Sequence, residues 1–265
     1  MSKLNVLYTA NEIDPFLTTS SVARVVRQLA QHMHGVGINV RILVPKFGVI
    51  SERRNNLHEV VRLSGANITL GTVTQPVTIK VASIPQVKLQ VYFIDNTDLF
   101  KRKFVLHDQA HQFYADNDER MIFFCQGALE TVKRLSWSPD IIHCHGWFTS
   151  LIPMYLKTAY RDEDIYHKTK SVFTLYNHGF SHQFGNDFSI KAAMPESPSH
   201  PHTAVGFTEL MKLGVQYADS VTYTEPLEGA HFKDWTSEKE IHHITSDPLG
   251  CTEYHDLYQQ LAQLT

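Results

Sequence analysis

Apolar positions in this chain follow two different periods, and the changes from one to the other mark out its elements. Residues 3 to 10 (KLNVLYTA) are apolar-rich without a helical spacing and predict a buried first strand. A loop from Asn11 to Thr19 leads to Ser20 and Ser21, whose hydroxyls suit helix capping. Val22, Val25, Val26, Leu29, Ala30 and Met33 then recur at helical spacing as one stripe. Gly35 and Gly37 close that helix, and Ile38 to Val44 reads as a second strand. A strand, loop, helix and strand in this order form a right-handed crossover unit of a parallel sheet.

From 57 to 94 the pattern shortens. His58 to Leu63, Ile68 to Val73, Val77 to Ile84 and Lys88 to Ile94 are β-rich runs divided by Gly, Pro and Gln, which predict a meander or hairpin beside the main sheet. Residues 96 to 116 read as an irregular loop, and Asn117 to Leu135 as a helix apolar on more than one stripe, hence well buried. Pro139 to Lys157 is a short apolar run ending in His143 and His145, a turn at Gly146 and a helical pattern opened by Trp147. In open α/β sheets ligands sit beyond the carboxyl ends of strands, where such a turn lies. Lys170 to Leu175 and Ser220 to Thr224 read as strands, and Val205 to Ala218 and Pro226 to Trp235 as helices. Asn177 to Pro201 reads as a long loop, and Thr236 to Gly250 as a polar segment without strand signal. Thr252 is placed to cap a last helix with Tyr254, Leu257, Tyr258, Leu261 and Leu264 on one face. The whole predicts an α/β fold: a Rossmann-like, mostly parallel sheet with helices on both faces and a β-hairpin or meander insertion.

Composition narrows the class. At 265 residues and 43% hydrophobic content, the chain can bury a substantial core. A net charge of −3 gives no electrostatic footprint for nucleic acid, and Arg53-Arg54 and Lys101-Arg102-Lys103 read as solvated loops. No apolar run approaches the roughly 20 residues that span a bilayer, and the first residues lack a signal-peptide pattern. Three separated cysteines, Cys125, Cys144 and Cys251, argue against a disulfide framework and for a reducing, cytoplasmic setting.

Sixteen histidines are the unusual count. His143 and His145 alternate along a strand and so share a face, but a lone His-x-His is weak evidence for a metal. Asn177, His178 and His182 fall in a loop, where binding and plain exposure are both open readings. His200, His202, His242 and His243 read as exposed. Trp147 and Phe148 suit either sugar stacking or a buried helix start, and no local motif suggests a Ser-His-Asp or Cys-His nucleophile.

Several ordered motifs resemble the N-terminal half of bacterial glycogen/starch synthases. "VLYTANEIDPF" resembles that family's opening strand and Ser-Glu-x-x-Pro loop, and "VRILVPKFG" its second strand and exit. "VYFIDNTDLF" and "DNDERMIFFCQGALE" resemble its Tyr-Phe-Leu-Asp-Asn strand and Asp-Asn-x-x-Arg-Phe helix. "PDIIHCHGWFTSLIPMYLK" resembles its Pro-Asp-Val-Val-His-Ala-His-Asp-Trp-His-Thr-Gly-Leu run, and "MKLGVQYADSVTYTEP" its Lys-Ala-Gly-x-x-Tyr-Ala-Asp run. The resemblance implies the N-terminal domain of a two-Rossmann GT-B glycosyltransferase over residues 1 to 235. A polar linker and a helix packing back on that domain are expected over 236 to 265. The implied family activity is ADP-glucose-dependent α-1,4-glucan glucosyl transfer, with no metal and no resident cofactor.

Residue by residue, the match departs from the family at the crevice. The family's phosphate-approaching loop is Lys-Thr-Gly-Gly-Leu; here it reads Thr18-Thr19-Ser20-Ser21-Val22, with Arg24 in place of the next Asp. Gly146 stands for the family's Asp, Phe148 for a His, and Tyr176 for the His that lies against the reacting sugar. About 40 residues follow Thr224, fewer than a donor-binding domain needs. Together these imply a catalytically degenerate domain with a glucan-binding or regulatory role. Thr19, Ser20, Ser21, His143, His145, Trp147, Asn177 and His178 are the candidate contacts for an α-glucan or maltooligosaccharide. Two alternatives stand beside it: an active transferase completed by a separate donor-binding chain, and an interaction module. The latter would take a protein partner or a second copy on the face where the second domain docks.

Overall fold

The structure, a computed structural model, describes residues 3–195, 204–227, 241–244 and 248–263. β1 (Asn5–Thr9), α1 (Ser21–Gly35) and β2 (Asn39–Pro45) form the expected crossover unit, with β1 and β2 parallel. Ser20 caps α1, its hydroxyl accepting from the Val22 amide, and the predicted stripe from Val22 to Met33 is buried against the sheet.

The expected meander resolves into two parts. After α2 (Glu52–Asn55), β3 is only His58–Glu59, because Leu63 and Ser64 bond back to Val60 and end the extended run. β4 (Asn67–Leu70) and β5 (Val73–Pro76) make a separate two-stranded hairpin turned at Gly71, whose φ of 61° suits glycine. β6 (Thr78–Ser83) and β7 (Gln90–Asp95) return to the main sheet. The segment expected as irregular after β7 contains α3 (Thr97–Phe100), formed because the Asn96 side chain accepts from the Asp98 and Leu99 amides.

α4 (Asn117–Leu135), β8 (Ile141–His145), α5 (Leu151–Lys157) and β9 (Lys170–Leu175) follow close to expectation. α6 (Phe188–Lys191) lies in the predicted long loop, held to the start of α4 by Lys191 Nζ at 3.1 Å from Asp118 and 2.9 Å from Glu119. α7 (Phe207–Tyr217) and β10 (Ser220–Tyr223) are also as expected, whereas the helix expected at Pro226 to Trp235 falls almost wholly outside the described residues.

Two expectations for the final segment are corrected. β11 (Ile241–His243) pairs in parallel with β10 inside the stretch read as lacking strand signal; Ile244 just beyond it is buried and anchors this short edge. His243 on this strand is exposed but His242 is half-buried, while His200 and His202 lie outside the described residues. α8 (Pro248–Gln263) begins before Thr252, so Thr252 is an exposed helical residue and not the cap; proline's fixed φ suits a first helical turn.

The main sheet runs β11-β10-β9-β8-β1-β2-β7-β6-β3, and only β6 runs against the others, antiparallel to both β7 and β3. α1 and α8 pack together on one face, and α4, α5 and α7 on the other. α4 is buried nearly all round, with Met121 to Cys125, Ala128, Leu129 and Val132 inaccessible. No helix among the described residues is long and apolar enough to cross a membrane.

Where α7 lies on β9, contact is closest at Gly214, where a Cβ would come 2.3 Å from the Phe173 ring. Alanine gains about 1 kcal/mol over glycine in a helix, but overpacking against a fully buried ring costs about 1–3 kcal/mol. Gly214→Ala should therefore lower the melting temperature, and a stabilised variant would refute this packing. Removal of residues 251–265 uncovers the surface now under Tyr254, Tyr258 and Leu261, each worth about 2 kcal/mol of burial. The expected drop in melting temperature is roughly 12–24 °C; an unchanged value would show that α8 contributes nothing to the fold.

Candidate functional site

β1 lies between β8 and β2, so the connections of the sheet diverge from the β1–β8 pair. This is the topological switch point, and the crevice beyond the strand ends there is where an open α/β sheet receives a ligand. Residues 10–12 leave β1 at this point, Gly146 leaves β8, and Tyr176 to His178 leave β9.

The turn into α1 is organised by one carboxylate. Glu12 is only 1% exposed; its Oε2 accepts from the Thr19 amide (2.5 Å) and hydroxyl (2.6 Å), and its Oε1 from the Ser20 hydroxyl. A carboxylate just ahead of a helix N-terminus is favoured by the partial positive charge there. Thr18 is exposed and bonds Asp14 at 3.1 Å. Ser21 Oγ lies 3.2 Å from His178 Nε2, closing the mouth between α1 and the β9 loop, and Asn177 donates to the Pro226 carbonyl at 2.7 Å.

Beneath the mouth, His143 and His145 share a face as their alternation predicts, with ring centroids 3.9 Å apart, and both are fully buried. His143 Nδ1 meets Tyr258 Oη of α8 at 2.6 Å and its Nε2 meets Thr174 Oγ1 at 2.6 Å. Thr174 continues to Thr222 (2.7 Å), and both threonines reach Tyr254 Oη at 3.2 and 3.0 Å. Tyr8 Oη joins Tyr258 Oη at 3.2 Å. His145 Nδ1 pairs with Tyr176 Oη at 2.9 Å, and its Nε2 has no partner among the described residues. Gly146, at φ 72°, turns the chain in a conformation that strains any side chain, and its carbonyl accepts from Thr149 Oγ1 at 3.0 Å.

This interior is electrically neutral. Burial, with His145 as a second cause, holds the His143 pKa well below the imidazole range, and burial alone lowers that of His145 to about 3. Burial, reinforced by Tyr254, Glu225 and Glu12, keeps the Tyr176 phenol protonated. A general base is most effective with a pKa near the working pH, and none of these three groups has one.

The structure brings Thr18 to Ser21, Asn177 and His178 together at the mouth and places His143, His145 and Tyr176 below it. His143, His145 and Trp147, expected as sugar contacts, are 0%, 0% and 7% exposed in this structure. Trp147 instead packs in a separate aromatic cluster, 4.7 Å from Phe180 and 6.2 Å from Phe113. Sequence reasoning did not assign roles to Glu12, Tyr8, Thr174, Thr222 or the hydroxyls of Tyr254 and Tyr258. The two tyrosines were visible only as members of an apolar stripe, and the threonines only as β-branched strand residues. Among the described residues no group of three or more His, Cys, Asp or Glu is arranged to hold a metal ion.

A mostly parallel sheet with this switch point, flanked by helices and extended by an antiparallel edge, is the GT-B type of glycosyltransferase domain. Residues 5–227 match the family model "Starch synthase catalytic domain". A glycogen synthase of Chlorobium luteolum is 38% identical over 236 residues, covering 86% of this chain and 47% of that protein. One from Chlorobium phaeovibrioides is 37% identical over 231 residues, covering 85% and 47%. The catalytic domain of starch synthase IV from Arabidopsis thaliana, bound to ADP and acarbose, superposes with a TM-score of 0.77 at 20% identity, over 92% of this chain and 52% of that one. A sucrose-phosphate synthase chain from Thermosynechococcus elongatus gives 0.51 at 12% identity, over 97% and 98%. The chain belongs to the starch synthase catalytic domain family and is a glycogen/starch synthase-like glycosyltransferase domain. It spans about half the length of the curated relatives it matches.

The buried histidines give a signed pH dependence. Both have folded pKa values below the unfolded value of about 6.5, so the unfolded chain takes up protons that the folded chain excludes. Their contribution is full above about pH 6.5 and is lost as pH falls toward the folded values, at up to roughly 1 kcal/mol per pH unit for each histidine. Urea unfolding between pH 7 and 5 should show this loss, with a shallower slope in His145→Gln. Equal slopes for the two proteins would mean that His145 is not buried neutral.

Proposed function

We propose that this domain does not transfer glucosyl groups from its strand-end crevice and serves instead as an α-glucan-binding, regulatory element of glycogen metabolism. The observation that carries this reading is the closure of the crevice by its own side chains. Tyr176 hydrogen-bonds His145 where the family resemblance expects a histidine against the sugar. Gly146 supplies no carboxylate, and the Thr18–Ser21 turn supplies neither a lysine nor the bare glycine backbone suited to a diphosphate. Family membership and the acarbose-bound Arabidopsis relative support an α-glucan as the ligand class.

The exposed large apolar side chains among the described residues are Val36, Val49, Val61, Val73, Phe104 and Ile190, on six separate segments.

Radiolabel transfer from ADP-glucose to glycogen tests the catalytic half of the reading. The purified chain should give background counts alone, and adding it to a glycogen synthase should not raise that enzyme's own transfer. Transfer that requires this chain and is lost in Tyr176→Phe would overturn the proposal in favour of an active transferase.

A further inference from the structure

α8 belongs to no strand ladder, yet it is hydrogen-bonded to the centre of the sheet through Tyr258 and His143. Its buried side chains include Cys251, Tyr254, Tyr258 and Leu261, and the two tyrosine rings stand against His143 with centroids 5.0 and 5.8 Å away. The other neighbours of His143 come from the sheet itself. Tyr8 of β1 and His145 of β8 lie 5.7 and 3.9 Å away, and Thr174 of β9 meets its Nε2. Undocking α8 therefore hydrates His143 without separating any pair of strands.

Neutral His143 carries one ring proton, so one nitrogen donates and the other accepts. A second proton breaks neither bond, because the Tyr258 and Thr174 hydroxyls can each turn to accept. Their own hydrogens then point to Tyr8 Oη at 3.2 Å and to Thr222 Oγ1 at 2.7 Å. What is costly is the charge. The titratable groups around His143 are Tyr8 from β1, His145 from β8, and Tyr254 and Tyr258 from α8, with Cys251 next to Tyr8 and Tyr254. β9 and β10 contribute the Thr174 and Thr222 hydroxyls, and the buried residues of α1 are all apolar. Among the described residues no carboxylate answers a charge there, and burial with His145 holds the His143 pKa well below the imidazole range. A buried charge without a counter-ion is strongly disfavoured until water reaches it. Opening one peripheral element takes less free energy than unfolding the whole domain.

We infer that α8 is an acid-released latch: protonation of His143 detaches the helix while the sheet and its α4 face stay folded. Release uncovers Tyr8, His143 and Thr174 and admits water beneath the strand-end crevice. The neutral imidazole supports docking fully above about pH 6.5, the value of an exposed histidine, and that support is lost as pH falls. The opening equilibrium constant should rise by up to about tenfold per pH unit, or roughly twentyfold between pH 7 and 5.

The three thiols report the two faces of the sheet separately. Cys251 is on α8, whereas Cys144 alternates with His143 along β8 and so faces the α4 side, near Cys125; all three are buried. Labelling by 4,4′-dithiodipyridine at pH 7 and pH 5 tests the latch. Each site is read by mass spectrometry and normalised to the same cysteine in the urea-unfolded chain at that pH. Cys251 should gain roughly twentyfold while Cys125 and Cys144 remain protected. His143→Gln, which donates and accepts but does not titrate, should abolish the gain. His255→Gln, at the other histidine of α8, half-buried beside Asp256, should keep it. Equal gains at all three cysteines would mean that the chain opens as a whole and would overturn the latch, as would no gain at Cys251. A gain that survives in His143→Gln, or is lost in His255→Gln, would overturn His143 as the trigger. Should His143→Gln fail to fold, the three wild-type cysteines and His255→Gln still decide between these outcomes.

Discussion

The structure depends on a hydroxyl–imidazole network laid across the centre of its sheet. His143 sits at the middle of β8, where any side chain facing α8 is removed from water, and a buried imidazole there requires partners for both nitrogens. Tyr258 and Thr174 supply them, and through Thr222, Tyr254 and Tyr8 the same bonds connect β1, β8, β9 and β10 with α8. α8 is thus attached by directional contacts as well as by its apolar residues. Loss of any one hydroxyl would leave a buried polar atom unpaired, which costs more than the bond itself contributes.

The same network explains why the crevice is chemically quiet. Burial that makes the hydrogen bonds effective also removes charge from His143 and His145 and retains the proton on Tyr176. A sugar-transfer site needs the opposite arrangement, with polar groups held ready but unsatisfied until substrate arrives. Here His143 and the Tyr176 hydroxyl already have partners at the strand ends, while His145 Nε2 and Thr224 Oγ1 have none among the described residues.

Much of the fold was legible because the apolar periods are strong. The stripe from Val22 to Met33, the all-round burial of α4 and the strand–turn at Ile141 to Gly146 follow directly from spacing and glycine placement. Where sequence reasoning missed, a short-range bond had decided the outcome: Asn96 capping α3, or Lys191 holding α6 against α4. β11 escaped because a three-residue edge strand carries too little pattern to register. At the site, alternation placed His143 and His145 on one face, yet nothing in the pattern could reveal that two tyrosines 115 and 111 residues beyond His143 would cover it. Such partners are set by tertiary packing, which local spacing does not encode.

The Glu12 cap has one more consequence, best expressed as competition. Its carboxylate is joined to the Thr19 donors by only seven residues of chain, so it attends them at an effective concentration of about millimolar or higher, whatever the protein concentration. A free anion must outcompete this tethered rival before it can use the Thr19 amide and hydroxyl just ahead of α1. The threshold for phosphate binding at that helix end is therefore written into the length of one loop.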